Sequence, residues 1–225
     1  MFAGVNTNPS SSPFEIQTVG MIVRGILAIP QGARSIVVFA HGIDSSSRSP
    51  RNHLVARSLL QRGFAVALPD LSTEFEDDSL PAPQNDQEDI VRTAHRLTTI
   101  IDWIAENPAT SGLHIGLFGG RTGAAAAMMA AALRPANVYA VVSRGGRPDL
   151  ADDLLQHVHA PTLMIVGSGD RAHIDFNRQA GARMHDKPML EVIQGASHLF
   201  GEPGKLEQVA SISYQWFQRN LAMCG

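Results

Sequence analysis

Apolar positions along this chain switch repeatedly between two spacings. Short, nearly continuous apolar runs, "MIVRGILAIP", "SIVVFAHG", "FAVALPD", "LHIGLFGG", "VYAVVSRGG", "PTLMIVGSGD" and "PMLEVIQGASH", read as strands. The turn "QGAR" joins the first two. Between the others, apolar residues recur at helical spacing. "NHLVARSLLQRG" predicts a helix that stops at Gly63, a natural C-cap. A longer helix is predicted from about Asp86 to Asn107. Its buried face is Ile90, Ala94, Leu97, Ile101 and Ile104, and its acidic first turn complements the helix dipole. An Ala/Met-rich helix follows "LHIGLFGG". A short helix is expected near Leu150 to His157, another through Asn177 and Arg183, and a last one from about Pro203 to Leu221. Strands covered on both faces and alternating with helices predict one α/β domain over 14–225, a mostly parallel, doubly wound sheet with helices on both faces. The first 13 residues, rich in Ser, Pro and Asn, predict a flexible arm.

Composition narrows the function classes. With 225 residues, 44% of them hydrophobic, the chain can bury a full core in a single domain. A net charge of -3 and the lack of any Lys/Arg cluster argue against nucleic acid as a partner. The longest apolar tract, Ala124 to Leu133, is about half the roughly 20 residues of a membrane-spanning helix, so no membrane association is expected. No charged, apolar leader opens the chain, which predicts a cytoplasmic protein. The single cysteine, Cys224, excludes an internal disulfide and a cysteine-rich metal site, and its place at the chain end makes it a poor catalytic thiol. The nine histidines show no pair at ligand spacing with an acidic partner, so no metal and no cofactor are expected.

Candidate chemistry gathers at strand ends. Arg121 follows "HIGLF", Asp170 follows "LMIVGSG" and His198 follows "VIQGAS". Their order, apex of a glycine-rich strand-to-helix turn, then acid, then histidine, is the order of nucleophile, acid and base in α/β-hydrolases. "FAHGIDSSS" adds a His-Gly pair after an earlier strand, where such enzymes place an oxyanion-hole amide. The motifs "FAHG", "SSSRSPRN", "FGGRTGAAAA", "VVSRGGRPDLA", "APTLMIVGSGD" and "GASHLFGEPG" together resemble the dienelactone-hydrolase-like branch of the α/β-hydrolase superfamily, from about Ile22 to Leu221. The resemblance implies a domain without a lid, acting on a small ester, lactone or carboxylate-bearing molecule. It implies Asp170 orienting His198 as general base and an oxyanion hole from the Ile43 and Thr122 amides; His41, Gly42, Asp44 and Arg121 are the candidate substrate contacts of the same pocket.

One residue departs from the family pattern. Where the elbow reads Gly-x-Ser-x-Gly, this chain has Gly119, Gly120, Arg121, Thr122, Gly123. A guanidinium stays protonated and offers only donors, so covalent acyl transfer through position 121 is not available. Two readings stand side by side. Either the site has drifted and become a binding or interaction scaffold, or the pocket has changed its chemistry: His198, oriented by Asp170, activates water or abstracts a proton, while Arg121, neutralised by a ligand or by Asp44 or Asp170, clamps a carboxylate or enolate at the helix N-terminus. His41 reads as a loop-packing residue sooner than as a base. Ser143 lacks the sharp turn that exposes a nucleophile, and Arg144 and Arg147 could bind an acidic substrate but read first as solvated or salt-bridged. A dinucleotide loop is disfavoured, because Phe118 stands where a second glycine belongs. Oligomeric state is not readable from the sequence.

Overall fold

The computed structural model describes residues 11–18, 21–41, 49–71 and 85–221. The predicted α/β sheet is present with eight strands: β1 (Ser11–Thr18), β2 (Met21–Ala28), β3 (Ser35–Ala40), β4 (Ala65–Asp70), β5 (His114–Gly120), β6 (Val138–Arg144), β7 (Thr162–Gly167) and β8 (Met189–Ile193). Their spatial order is β1-β2-β4-β3-β5-β6-β7-β8. The β1/β2 and β2/β4 pairs are antiparallel and the rest are parallel. Five α-helices connect them: α1 (Pro50–Leu60), α2 (Asp86–Glu106), α3 (Thr122–Leu133), α4 (Arg171–Arg183) and α5 (Lys205–Leu221).

Strand β1 was not foreseen. The arm expected over 1–13 overlaps it at Ser11, Ser12 and Pro13. The strand was overlooked because "SSPFEIQT" carries few apolar residues and a proline. As the sheet edge it needs only alternate positions, Phe14 and Ile16, to face the core, and an edge tolerates proline. The short helix expected near Leu150 is a 3-10 segment, Pro148–His157, broken where Asp152 takes a positive φ of 48°.

Burial on both faces explains the continuous apolar runs. In β3, Ile36, Val38 and Ala40 join one core with α2 and α3, while Val37 and Phe39 join a second core with α1 and α5. Alternation is therefore present, but both phases are apolar. Helix α2 buries all five of its predicted positions, and Asn85 caps it by accepting from the Glu88 amide at 2.9 Å. Helix α3 is buried all round from Gly123 to Ala131, which explains its lack of polar residues. On the other face, a Cβ at Gly116 would stand 2.7 Å from a Phe217 ring carbon, so this glycine makes room for α5. Among the described residues, no helix is long and apolar enough to cross a membrane.

Candidate functional site

The parallel strands β3, β5, β6 and β7 end at one edge, and the turns after β5, β6, β7 and β8 meet there. After β5 the chain turns into α3 through Arg121, whose φ of 56° and ψ of -129° lie where a non-glycine residue is strained by about 1–3 kcal/mol. The glycines either side make this turn possible. A Cβ on Gly119 would lie 2.6 Å from Ala124 Cα, and one on Gly123 would collide with the Ala40 carbonyl of β3. The apex conformation is thus set by strand and helix backbones packed too closely for side chains. Arg121 keeps the elbow geometry although its side chain is not a nucleophile.

Hydrogen bonds link the elbow to its neighbours. The Arg121 carbonyl accepts from the Ala124 amide at 3.2 Å and the Arg147 amide at 3.0 Å, tying the elbow to the turn after β6. That same turn touches the loop after β8, since a Cβ at Gly145 would be 3.0 Å from the His198 carbonyl and 3.7 Å from its Cε1. The loops after β7 and β8 are stapled as well: Ser168 N donates to the Ile193 carbonyl at 3.0 Å, Gly169 N to the Ala196 carbonyl at 3.0 Å, and Gly195 N to Ser168 Oγ at 2.9 Å.

Asp170 caps α4 and collects three N–H groups. His198 Nδ1 lies 2.7 Å from its Oδ2, His173 Nδ1 lies 3.0 Å from its Oδ1, and the His173 amide donates to Oδ1 at 3.3 Å. An ionised carboxylate only accepts, so the His198 Nδ1 carries the proton and its Nε2 carries the lone pair. The expected acid–histidine pair is present in geometry, and it brings along His173, which the sequence reading passed over. The signal was the spacing Asp170-Arg-Ala-His173, which puts both side chains on one helical turn. The rings of His173 and His198 are 4.3 Å apart between centroids.

Electrostatics set both protonation states. Burial pushes the Asp170 carboxyl up, but hydrogen bonds from His173 and His198 outweigh it and hold the group below the usual range. Burial pushes His198 down; the Asp170 bond opposes this, and the nearby His173 and Arg121 add to the lowering. Neutral His198 therefore persists to lower pH than a free imidazole, whose value is about 6.5. Because the folded value is depressed, acidification from about pH 6.5 toward the folded value costs stability. The depressed Asp170 likewise contributes stability above the usual carboxyl range and loses it as pH falls through its lowered value. Arg121→Ser is expected to raise the His198 titration midpoint, read from its ring protons by NMR. A midpoint that stays put or falls would show that the two groups do not interact.

Asp170, His173 and His198 bring their ligand-type atoms within 4.8 Å of one another, a grouping that could hold a metal ion and that corrects the expectation of no such cluster. As it stands the cluster is hydrogen-bonded. A cation would have to displace both Nδ1 protons and would do so beside Arg121, whose charge already disfavours a second positive charge at His198. The chain thus presents a histidine held by an acid more than an assembled cation site.

The remaining predicted residues divide. His41 is buried and its Nε2 accepts from the Leu71 amide at 2.9 Å, bracing the end of β3 against the end of β4. Thr122 begins α3 directly after the apex. Gly42, Ile43 and Asp44, most of the acidic loop after β4, and Cys224 lie outside the described residues. Ser143 is wholly buried against α3, which agrees with discounting it as a nucleophile. Arg147 is salt-bridged as expected, with Asp149 at 2.7 Å, and lies 4.0 Å over the Phe176 ring. Arg144 is only 6% exposed, and among the described residues it has no salt bridge and its Nη1 no hydrogen-bond partner.

Comparison with known proteins agrees with this architecture. Residues 23–220 match the profile of the dienelactone hydrolase family. A crystal structure of a dienelactone hydrolase from Anabaena variabilis is 45% identical, covering 95% of this chain and 99% of that one, with a TM-score of 0.88. An esterase from Pyrococcus furiosus shares the fold at 15% identity, with a TM-score of 0.75 over 95% of this chain and 94% of that one. A Mycobacterium tuberculosis protein that carries the provisional name of a phosphoribosyl transferase is 47% identical over 213 residues, 94% of this chain and 47% of its own length. The chain thus spans about half the length of the curated relatives it matches. An α/β-hydrolase sheet of eight strands, an elbow between β5 and α3, and a family match over nearly the whole chain lead to one conclusion: this chain belongs to the dienelactone hydrolase family.

Proposed function

We propose that this protein binds a small anionic molecule, a carboxylate-bearing ester or lactone, and that any hydrolysis it performs proceeds through water activated by His198 and not through a covalent acyl-enzyme. The observation that supports this most is the strained elbow kept at Arg121 beside an ordered Asp170–His198 pair. The packed backbones of β3, β5 and α3 hold the turn whatever its apex residue, so most of the weight falls on the ordered acid–histidine pair beside it. Arg121 supplies a fixed positive charge, and the adjacent amides of α3 supply donors for an anionic group or a developing oxyanion. His198 Nε2 takes a proton from water as the water oxygen bonds to the carbonyl carbon. The ester C–O bond then breaks, and the imidazolium returns the proton to the leaving oxygen. Asp170 holds the ring and stabilises its transient charge.

A second reading, a binding scaffold without catalysis, is favoured by the same apex residue, because no group there can attack a carbonyl. The transferase name of the mycobacterial relatives belongs to proteins about twice as long, and none of it is assigned to this chain.

Calorimetric titration with benzoate and with benzamide tests the anion reading. Wild type should bind the carboxylate in preference to the amide, and Arg121→Ser should weaken the carboxylate by about tenfold or more, since charge-assisted contacts are worth roughly 1.5–3 kcal/mol. Equal affinity of wild type for acid and amide would leave only the scaffold reading.

A further inference from the structure

A second set of donors lies behind the elbow, on the α1 face of the sheet. Arg144 ends β6 in register with Gly120, and a Cβ on Gly120 would be 2.8 Å from its Nη2. Its guanidinium lies 6.0 Å from the centre of the Phe118 ring, and no hydrogen bond completes its Nη1. Burial first, and then the nearby charges of Arg51 and Arg121, together lower its pKa to about 10, and no carboxylate among the described residues offsets them. It is therefore still a cation at neutral pH, held in the interior against two other cations. Such an arrangement is costly unless something negative completes it.

The start of α1 shows the complementary shortage. Ser49 is the N-cap but its side chain makes no capping bond, and Pro50 at the first helical position has no amide proton. The amides of Arg51 and Asn52 stand where a helix has no internal acceptor. Around them, Ser49 Oγ, Arg51 Nε and the Asn52 amide oxygen are all buried with no hydrogen-bond partner. The Asn52 side chain presents a donor in place of that oxygen once its amide is turned over. Three unsatisfied side chains thus sit at a helix N-terminus, the end of a helix that attracts anions, and the Arg144 charge is near enough to act on that of Arg51.

We infer that Arg144 and Arg51, with Ser49, Asn52 and the first amides of α1, form a subsite for an oxyanion group, phosphate or carboxylate, of the bound molecule. This rests on the reading of the pocket as anion-binding and deepens it, because it assigns the ligand a second negative group beyond the one at Arg121. The molecule is accordingly at least doubly anionic, such as a dicarboxylate or a phosphorylated acid. Bidentate guanidinium contacts suit both groups.

The test uses the whole chain, inorganic phosphate and malonate as probes, and malonamide as the neutral control. Binding is followed by calorimetry and by the arginine Nε–H resonances. Wild type should bind phosphate or malonate, or both, and not malonamide, with the Arg51 and Arg144 resonances shifting. Arg144→Met and, separately, Arg51→Met should each weaken binding by tenfold or more. Arg51 is only half-buried, so its variant keeps the proposal testable should Arg144→Met fail to fold. If phosphate binds and malonate does not, the subsite takes a phosphate; the reverse points to a carboxylate. Arg121→Ser separates the two ideas. Anion binding lost with Arg121 and untouched by Arg144→Met and Arg51→Met would overturn the subsite and leave the elbow reading standing. Binding lost with Arg144 or Arg51, while benzoate titration is indifferent to Arg121, would do the opposite. Wild type that binds neither anion better than malonamide would overturn the subsite outright.

Discussion

Arg121→Ser is expected to turn the protein into a serine esterase, with aryl-ester hydrolysis roughly 10²- to 10⁴-fold above wild type, the range a positioned general base contributes. Three features of the structure support a gain of that size. The apex residue already has φ 56° and ψ -129°, so a serine there would be presented by the same tight turn. His198 is held at 2.7 Å by Asp170 with its Nε2 unprotonated, as a base must be. Its pKa is already depressed, and removing Arg121 moves it back toward neutrality, where a general base is most effective. A serine-reactive phosphonate should label Arg121→Ser, and adding His198→Ala should abolish both labelling and burst kinetics. Wild type should remain unlabelled. A folded Arg121→Ser that neither reacts with the probe nor hydrolyses aryl esters would mean that the elbow and His198 do not face a common substrate position. Labelling of wild type would place a nucleophile elsewhere.

Gly123→Ala is expected to destabilise the fold by about 3 kcal/mol or more, the upper range for overpacking a closely packed site. The added methyl would stand 2.8 Å from the carbonyl carbons of Ala40 and His41 and would collide with the Ala40 oxygen. All three belong to the backbone at the end of β3, so no side chain can swing aside. Relief requires α3 or β3 to move, and α3 is buried along its length. For a chain of this size the melting temperature should fall by about 6 °C or more. Gly112→Ala is the control: a methyl there meets nothing within 4 Å, and stability should change by no more than about 0.5 kcal/mol. Urea denaturation midpoints of the three proteins check the contrast. Equal midpoints for Gly123→Ala and wild type would show that the strand and helix are not in the contact described.

The fold was legible where a local pattern carried the information. Apolar runs marked seven of the eight strands, and the periodicity of α2 identified a face that is buried as expected. Strand β1 escaped because an edge strand needs only Phe14 and Ile16 inside, too weak a signal for a run-based reading. The elbow was legible because glycines at 119 and 123 have one economical explanation, a strand and a helix packed backbone to backbone.

What the sequence alone determined is the order of the chemistry: an elbow whose apex is arginine, then an acid, then a histidine, each after a strand. Only the tertiary structure decided the company these residues keep. That His173 shares Asp170 with His198 depends on the loop after β8 being stapled to the loop after β7, contacts between segments more than twenty residues apart. That Arg147 pairs with Asp149 while Arg144 stays unpaired could not be read from two arginines three residues apart. β-strand alternation and the turn at Gly145 send one outward to a carboxylate and the other inward, beside Arg51. Residue type and spacing fix which groups exist and in what order, whereas burial and long-range packing fix which of them lack a counter-charge, and it is that lack which points to a ligand.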